Sequence, residues 1–368
     1  MADPRVTRLA RLLVDYSTNI QPGDKVSIQA FPAAAPLIEA VYERVLERGG
    51  LPHLLLNLPG LDEMLLRKGN DAQLEHLPIF HKTMMETFDA RISLGGGVNS
   101  RGLNGADPAR QAKQRVAQTS LIRTFMERDA TGALKWVGTL FPTDSLAQDA
   151  EMSLREYEDF VYGACHVNGE DDPIAYWQGV RAEQDRLVQW LKPRDRVEVR
   201  GPNAELTLSI KGRTFINADG RNNMPDGEIF TGPVEDSVNG WVRFTYPAVA
   251  FGREVDGVEI KFENGKAVQA TAKKNEAFML STLNTDSGAR YLGEFAFGTN
   301  FGIQRFTKSI LFDEKIGGSI HMAFGAGYIK TGSKNTSGLH WDMISDMRDG
   351  GEVWVDGELF YQNGEFKV

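Results

Sequence analysis

The chain has 368 residues, 41% of them hydrophobic and 25% charged, a balance that fits a folded globular protein and excludes disorder, collagen-like repeats and coiled coil. That length suits two domains of ordinary size. Lys and Arg total 41 against 50 Asp and Glu, and the net charge of -9 argues against nucleic acid or an anionic membrane as the main partner.

Val6, Leu9, Leu12, Leu13, Tyr16 and Ile20 recur at helical spacing, and the run closes on the breaker Gln21-Pro22-Gly23. Residues 25–30 read as a strand, 34–47 as a helix ending at Gly49-Gly50, and 53–58 as a buried strand. A helical stretch over 71–88 leads to a strand at 90–94, a Gly-rich turn, a helix over 108–128 and a strand at 134–140. Helices continue over 154–162 and 174–191. Strand, helix, strand is the rhythm of a parallel sheet, so residues 1–193 are expected to form an α/β domain with a mostly parallel sheet.

Beyond Lys192-Pro193-Arg194-Asp195 the texture changes to short β-type runs separated by Gly and Asn, at 197–200, 206–210, 240–246, 255–262, 267–271 and 353–360. Glu263-Asn264-Gly265 and Gln362-Asn363-Gly364 suit hairpin turns because Asn and Gly tolerate positive φ. One helix is expected over 275–282. Residues 194–368 are therefore expected to form a β-rich α+β domain. The longest apolar stretch, 51–58, is far short of the ~20 residues of a membrane span. The amino-terminal stretch lacks the uninterrupted apolar core of a secretory signal. One cysteine, Cys165, permits no internal disulfide, and a cytoplasmic location is the expectation.

The first half offers little chemistry. Gly95-Gly96-Gly97 follows a strand, but neither a GxGxxG pattern nor a closing Gly-Lys-Ser/Thr accompanies it. His53, His76 and His81 have no partner at metal spacing, and Cys165 and His166, as sequence neighbours, point in different directions. No metal ligand is expected there.

The second half differs. His340-Trp341-Asp342 places an imidazole and a carboxylate on one face of an extended backbone, where both can reach one metal. Upstream, Leu311-Phe312-Asp313-Glu314 leads into Gly317-Gly318-Ser319-Ile320-His321. Glu228 and Glu294 stand in Gly-rich contexts that read as turns, within otherwise apolar runs. A buried, unpaired carboxylate is costly, and a divalent metal would compensate it. Three carboxylates besides His-x-Asp exceed the needs of one tetrahedral zinc, so the count points to two metal ions sharing carboxylates.

These segments resemble the thermophilic, metal-dependent aminopeptidases of peptidase family M29, the aminopeptidase T and aminopeptidase S group. The likeness covers most of the chain, and its specific motifs lie between Asn223 and Asp342. The resemblance implies a dinuclear centre of cobalt, zinc or manganese ions held by Glu228, Glu294, Glu314, His321, His340 and Asp342. It implies a metal-activated water, Glu294 or Glu228 as general base, and Tyr328 as a donor to the tetrahedral oxyanion. The implied substrates are peptides with a free N-terminus and an apolar first residue, the α-amine being anchored by a metal, and the implied assembly is a homodimer. Two intervals depart from the family pattern: Glu314 to His321 is longer than in its best-known members, and His321 to His340 is shorter. The scaffold is also similar to 2,5-dihydroxypyridine dioxygenases, in which one iron is held by two His and one Asp, a set present here as His321, His340 and Asp342. A binding protein that keeps the fold without turnover is the third reading.

Overall fold

The computed structural model describes residues 3–250 and 252–368. In chain order its first elements are α1 (Pro4–Arg11), which runs into a π-helical turn, β1 (Lys25–Ala30), α2 (Ala35–Glu47), β2 (Leu51–Leu56) and α3 (Leu61–Lys68). Then come α4 (Asp71–Leu74), α5 (Ile79–Thr87), β3 (Ala90–Gly95), α6 (Pro108–Ala130), β4 (Lys135–Leu140), α7 (Asp144–Asp149) and α8 (Leu154–Ala164). The next stretch is α9 (Pro173–Leu191), β5 (Arg196–Gly201), β6 (Ala204–Ser209), β7 (Ile216–Ala218), β8 (Asn223–Met224), β9 (Glu228–Thr231), β10 (Asn239–Arg243), β11 (Ala248–Ala250) and β12 (Arg253–Val255). The chain ends with β13 (Glu259–Glu263), β14 (Lys266–Thr271), α10 (Glu276–Thr282), β15 (Leu292–Gly298), α11 (Ile310–Asp313), β16 (Ser319–Gly325), β17 (His340–Asp346), β18 (Glu352–Val355), β19 (Glu358–Gln362) and β20 (Glu365–Phe366). Among the described residues, no helix is long and apolar enough to cross a membrane.

The chain divides into two compact units, Met1–Ile174 with Gly220–Pro225, and Ala175–Asp219 with Asp226–Val368. The division falls one helix earlier than the expected boundary near residue 193. The physical reason is in α9, whose Leu187 and Leu191 are buried in the core of the second unit. Trp190 also stacks on Phe360, with ring centroids 4.9 Å apart.

The first unit holds a five-stranded sheet in the order β2-β1-β3-β4-β8, with every pairing parallel. Local signals fix its helix starts: Asp3 caps α1 with Pro4 at its first position, Asp107 and Pro108 do the same for α6, and Ser153 and Glu156 form a capping box on α8. Two expectations are corrected here. The run over 71–88 is two helices, because Pro78 precedes α5 and has no backbone N–H to continue α4. The strand expected to be buried at 53–58 is β2, an edge strand starting at Leu51, and Leu51, Leu54 and Leu56 are exposed.

The second unit stacks an eight-stranded sheet, β14-β13-β10-β6-β5-β18-β19-β20, and a five-stranded antiparallel sheet, β17-β16-β15-β9-β7, around one apolar core. Phe262 of β13 stacks on Phe324 of β16 at 5.7 Å, and Phe297 of β15 meets Phe360 of β19 edge-on at 5.3 Å, so aromatic rings tie the sheets together. The two expected Asn-Gly turns are present, with Asn264, Gly265, Asn363 and Gly364 all at positive φ. The single strand expected over 353–360 is instead the hairpin β18–β19. Asp356 and Gly357 turn the chain there at φ 52° and 84°.

Candidate metal centre

The five-stranded sheet builds the site through a period of two. One face of β15, β16 and β17 sends Phe295, Phe297, Ile320, Met322, Phe324, Trp341 and Met343 into the core. The opposite face carries Glu294, Ala296, Gly298, His321, Ala323, Gly325, His340 and Asp342. In register, Ala323 lies opposite both Glu294 and Asp342, Gly325 opposite His340, and Ala296 opposite His321. Glu228, the first residue of β9, lies opposite Gly298. Each polar side chain therefore has a residue no larger than Ala beside it on a neighbouring strand, which leaves the imidazoles and carboxylates one shared space. Gly298 is obligatory for a further reason: a Cβ there would stand 2.2 Å from the carbonyl oxygen of Ile316. The segment that follows α11 thus rides directly against β15, bringing Glu314 to the same face.

His321 is the hub. Its Nε2 donates to Glu294 Oε1 at 3.0 Å and lies 3.2 Å from Glu228 Oε2. Glu228, Glu294 and His321 offer one ligand atom each within 4.8 Å of one another, and so do Glu314, His321 and Asp342. His340 completes the group, with Nε2 3.6 Å from Asp342 Oδ1 and 4.0 Å from Glu294 Oε2. Its Nδ1–H donates to the carbonyl of Ala326 at 2.8 Å, which fixes the tautomer and aims the Nε2 lone pair into the site, the usual support of a metal-ligating histidine. Glu228 Oε2, Glu294 Oε2, Asp342 Oδ1 and His321 Nδ1 are buried without a hydrogen-bond partner. Buried polar atoms are nearly always satisfied, so four orphans in one cluster fit a site built for cations.

The sequence profile of a family described as thermophilic metalloprotease (M29) matches residues 2–366. The chain belongs to that family. Aminopeptidase T of Thermus aquaticus is 27% identical over 364 residues, covering 90% of this chain and 87% of its own, and aminopeptidase 2 of Geobacillus stearothermophilus is 25% identical, covering 89% and 84%. The solved structure of wild-type AmpT from Thermus thermophilus superposes with a TM-score of 0.86 at 22% identity, covering 99% of each chain. A 2,5-dihydroxypyridine dioxygenase from Pseudomonas putida superposes with a TM-score of 0.61 at 11% identity, covering 99% of this chain and 97% of its own, a likeness of fold.

In this M29 protein the six expected ligands come together, but Glu228 and Glu294 sit on strands and not in turns. The electrostatics show a cluster short of positive charge. Burial raises Glu228 well above the carboxylate range, partly offset by Lys315, and pushes Asp342 up to about 6 against the pull of His340. Burial opposes protonation of His321, yet the hydrogen bond to Glu294 and the neighbouring carboxylates outweigh it and push the imidazole up to about 10. A proton on His321 thus balances part of the negative charge around it. Asp313 plays a different part: its Oδ1 accepts from Thr307 N at 2.7 Å and Thr307 Oγ1 at 2.9 Å, which ties the loop before α11.

Tyr328 lies beside the group, its ring edge-on to His340 with centroids 5.6 Å apart and 5.2 Å from Phe230. It is half-exposed and marks the open side of the site. Lys315 is the residue that sequence reasoning passed over. Its ammonium contacts Glu314 Oε1 and lies 3.5 Å from Glu228 Oε1, and its side chain is wholly buried. The only signal was its place between two conspicuous elements, Asp313-Glu314 and the Gly317-Gly318 turn. The first unit contributes no candidate metal cluster among the described residues. Cys165 is buried, which pushes its thiol far up and leaves it unreactive.

Proposed function

We propose that this protein is a metal-dependent aminopeptidase whose centre holds two divalent ions, cobalt, zinc or manganese, on Glu228, Glu294, Glu314, His321, His340 and Asp342. The observation that carries the reading is the convergence of four carboxylates on the His321 imidazole in two overlapping trios, with His340 beside Asp342 and Glu294 and with unpartnered oxygens on Glu228, Glu294 and Asp342. When bound, such ions activate a water at neutral pH and polarise the scissile carbonyl.

The chain's own residues divide the remaining work. Glu294 or Glu228 serves as the general base, each keeping an Oε2 that has no hydrogen-bond partner. That carboxylate takes the water's proton and passes it to the leaving amine. Tyr328, on the open side, donates its hydroxyl to the oxyanion of the tetrahedral intermediate. The substrate class is peptides with a free N-terminus and an apolar first residue. A mononuclear iron site on His321, His340 and Asp342 would leave Glu228 and Glu294 buried, and Glu314 half-buried, to no purpose, which disfavours the dioxygenase reading. The same reading includes a homodimer, supported by the exposed Val116, Ile122 and Met126 of α6, and a cytoplasmic location, supported by the single cysteine.

The test pairs metal analysis with hydrolysis. After reconstitution with cobalt or zinc the protein should approach two equivalents per chain and release leucine from a Leu-initiated peptide, and the N-acetylated peptide should be inert. Equal cleavage of blocked and free peptides sinks the exopeptidase reading; saturation at one ion with iron preferred moves the assignment to the dioxygenase.

A further inference from the structure

Lysine is among the residues least often fully buried, because its charged head is costly to desolvate and its long stem normally lets it reach water. Lys315 is buried to its tip. Its backbone is anchored: the Lys315 carbonyl accepts from Asn300 N at 3.1 Å, just beyond the end of β15. The side chain from that anchor meets two carboxylates of the centre, Glu314 through Oε1 and Glu228 through Oε1 at 3.5 Å. The two oxygens of Glu228 are thereby divided. Oε1 faces the ammonium, and Oε2, which has no hydrogen-bond partner, faces His321 Nε2 at 3.2 Å.

We propose that Lys315 is a positioning residue of the metal centre, a permanent internal cation that takes one oxygen of Glu228 and one of Glu314 and so presents Glu228 Oε2 to the ion. The inference rests on reading the cluster as a metal centre. Two carboxylates converging on one buried space repel each other when the ion is away, and a cation carried by the chain itself keeps them in place. An ammonium suits the task because it is a compact point charge whose three donors can serve two oxygens, whereas a guanidinium is a wide planar fork. The arrangement is the inverse of the usual support of a metal ligand, in which a carboxylate orients a histidine; here a cation orients carboxylates.

Calorimetric zinc titration of the wild type and Lys315→Met, together with thermal midpoints of the metal-free proteins in chelator, tests the proposal. Lys315→Met should bind zinc about 10–100-fold more weakly, the cost of losing an outer partner of a ligand, with the same number of ions per chain. Its metal-free midpoint should fall, and adding Glu314→Gln should recover part of the loss, because the uncompensated buried charge is then gone. Unchanged zinc affinity, a double variant no more stable than the single one, or an extra ion bound by Lys315→Met would each overturn the proposal. Should Lys315→Met not fold, the double variant decides: its folding supports the charge role, and its failure to fold points to lost volume and overturns it. Absence of zinc and cobalt binding by the wild type defeats the metal reading itself, whereas the proposal alone fails with wild-type binding intact.

Discussion

Replacing Glu294 by Gln keeps the shape of the side chain and removes one charge from the middle of the cluster. In the metal-free protein two consequences oppose each other. Ligand oxygens of Glu294 and Glu228 lie within 4.8 Å, and with an effective dielectric constant of about 20 their repulsion at that distance is about 3.5 kcal/mol when both are ionised, which the variant relieves. Against this, the 3.0 Å hydrogen bond from His321 loses its charged acceptor, worth about 1.5–3 kcal/mol. The metal-free variant should therefore unfold within a few degrees of the wild type, on the same side or slightly above. Metal binding should behave quite differently, because the lost charge is a ligand to the ion. At a hundredfold excess over Kd, metal stabilises the wild type by about 2.7 kcal/mol, which for a unit of this size raises Tm by roughly 5–10 °C. A loss of at least about 100-fold in affinity removes most of that rise in Glu294→Gln. Differential scanning calorimetry with and without zinc reads both effects in one experiment. A variant that retains the full zinc-induced rise, or one whose metal-free Tm collapses, would refute this account of the charge balance.

Tyr328→Phe should keep the full metal content and near-native stability while kcat falls about 100–1000-fold, since loss of one oxyanion donor costs about 2.7–4 kcal/mol; near-normal kcat would remove Tyr328 from the chemistry. His340→Ala should instead lose metal first and activity as a consequence, which elemental analysis separates from the tyrosine effect. Gly298→Ala drives a Cβ into the Ile316 carbonyl at 2.2 Å, so it should lower stability by about 1–3 kcal/mol, read as a shifted denaturant midpoint, and displace the segment carrying Glu314; an unshifted midpoint would contradict the packing described. Zinc affinity should rise with pH, because His321 keeps its proton up to about 10 in the metal-free protein and an imidazole ligates only after losing it. Titration in two buffers of different ionisation heat should reveal proton release on loading, and its absence would contradict the assignment of His321 as a ligand.

The residue sequence by itself determined the features that depend on near neighbours. Helix starts follow from Asp3-Pro4 and Asp107-Pro108, hairpins from Asn264-Gly265 and Asn363-Gly364, and the convergence of His340 with Asp342 from the two-residue repeat of a strand. Local pattern singled out Glu228, Glu294 and Glu314 as candidate acids and family likeness made them ligands, but the pattern placed Glu228 and Glu294 in turns where the fold has strands. That misreading has a cause: β15 is buried on both faces, so Leu-Gly-Glu-Phe-Ala-Phe-Gly shows an alternation of large and small residues where a half-exposed strand would alternate apolar and polar. Whether β2 lies at the centre or the edge of its sheet is likewise a matter of strand order, which no local run encodes. Only tertiary structure revealed Lys315 as part of the site. Beside Glu314 in the sequence it reads as an ordinary solvated charge pair, and its role appears only when β9 brings Glu228 to 3.5 Å from its ammonium, because the electrostatics of a buried group are set by whatever the fold packs around it.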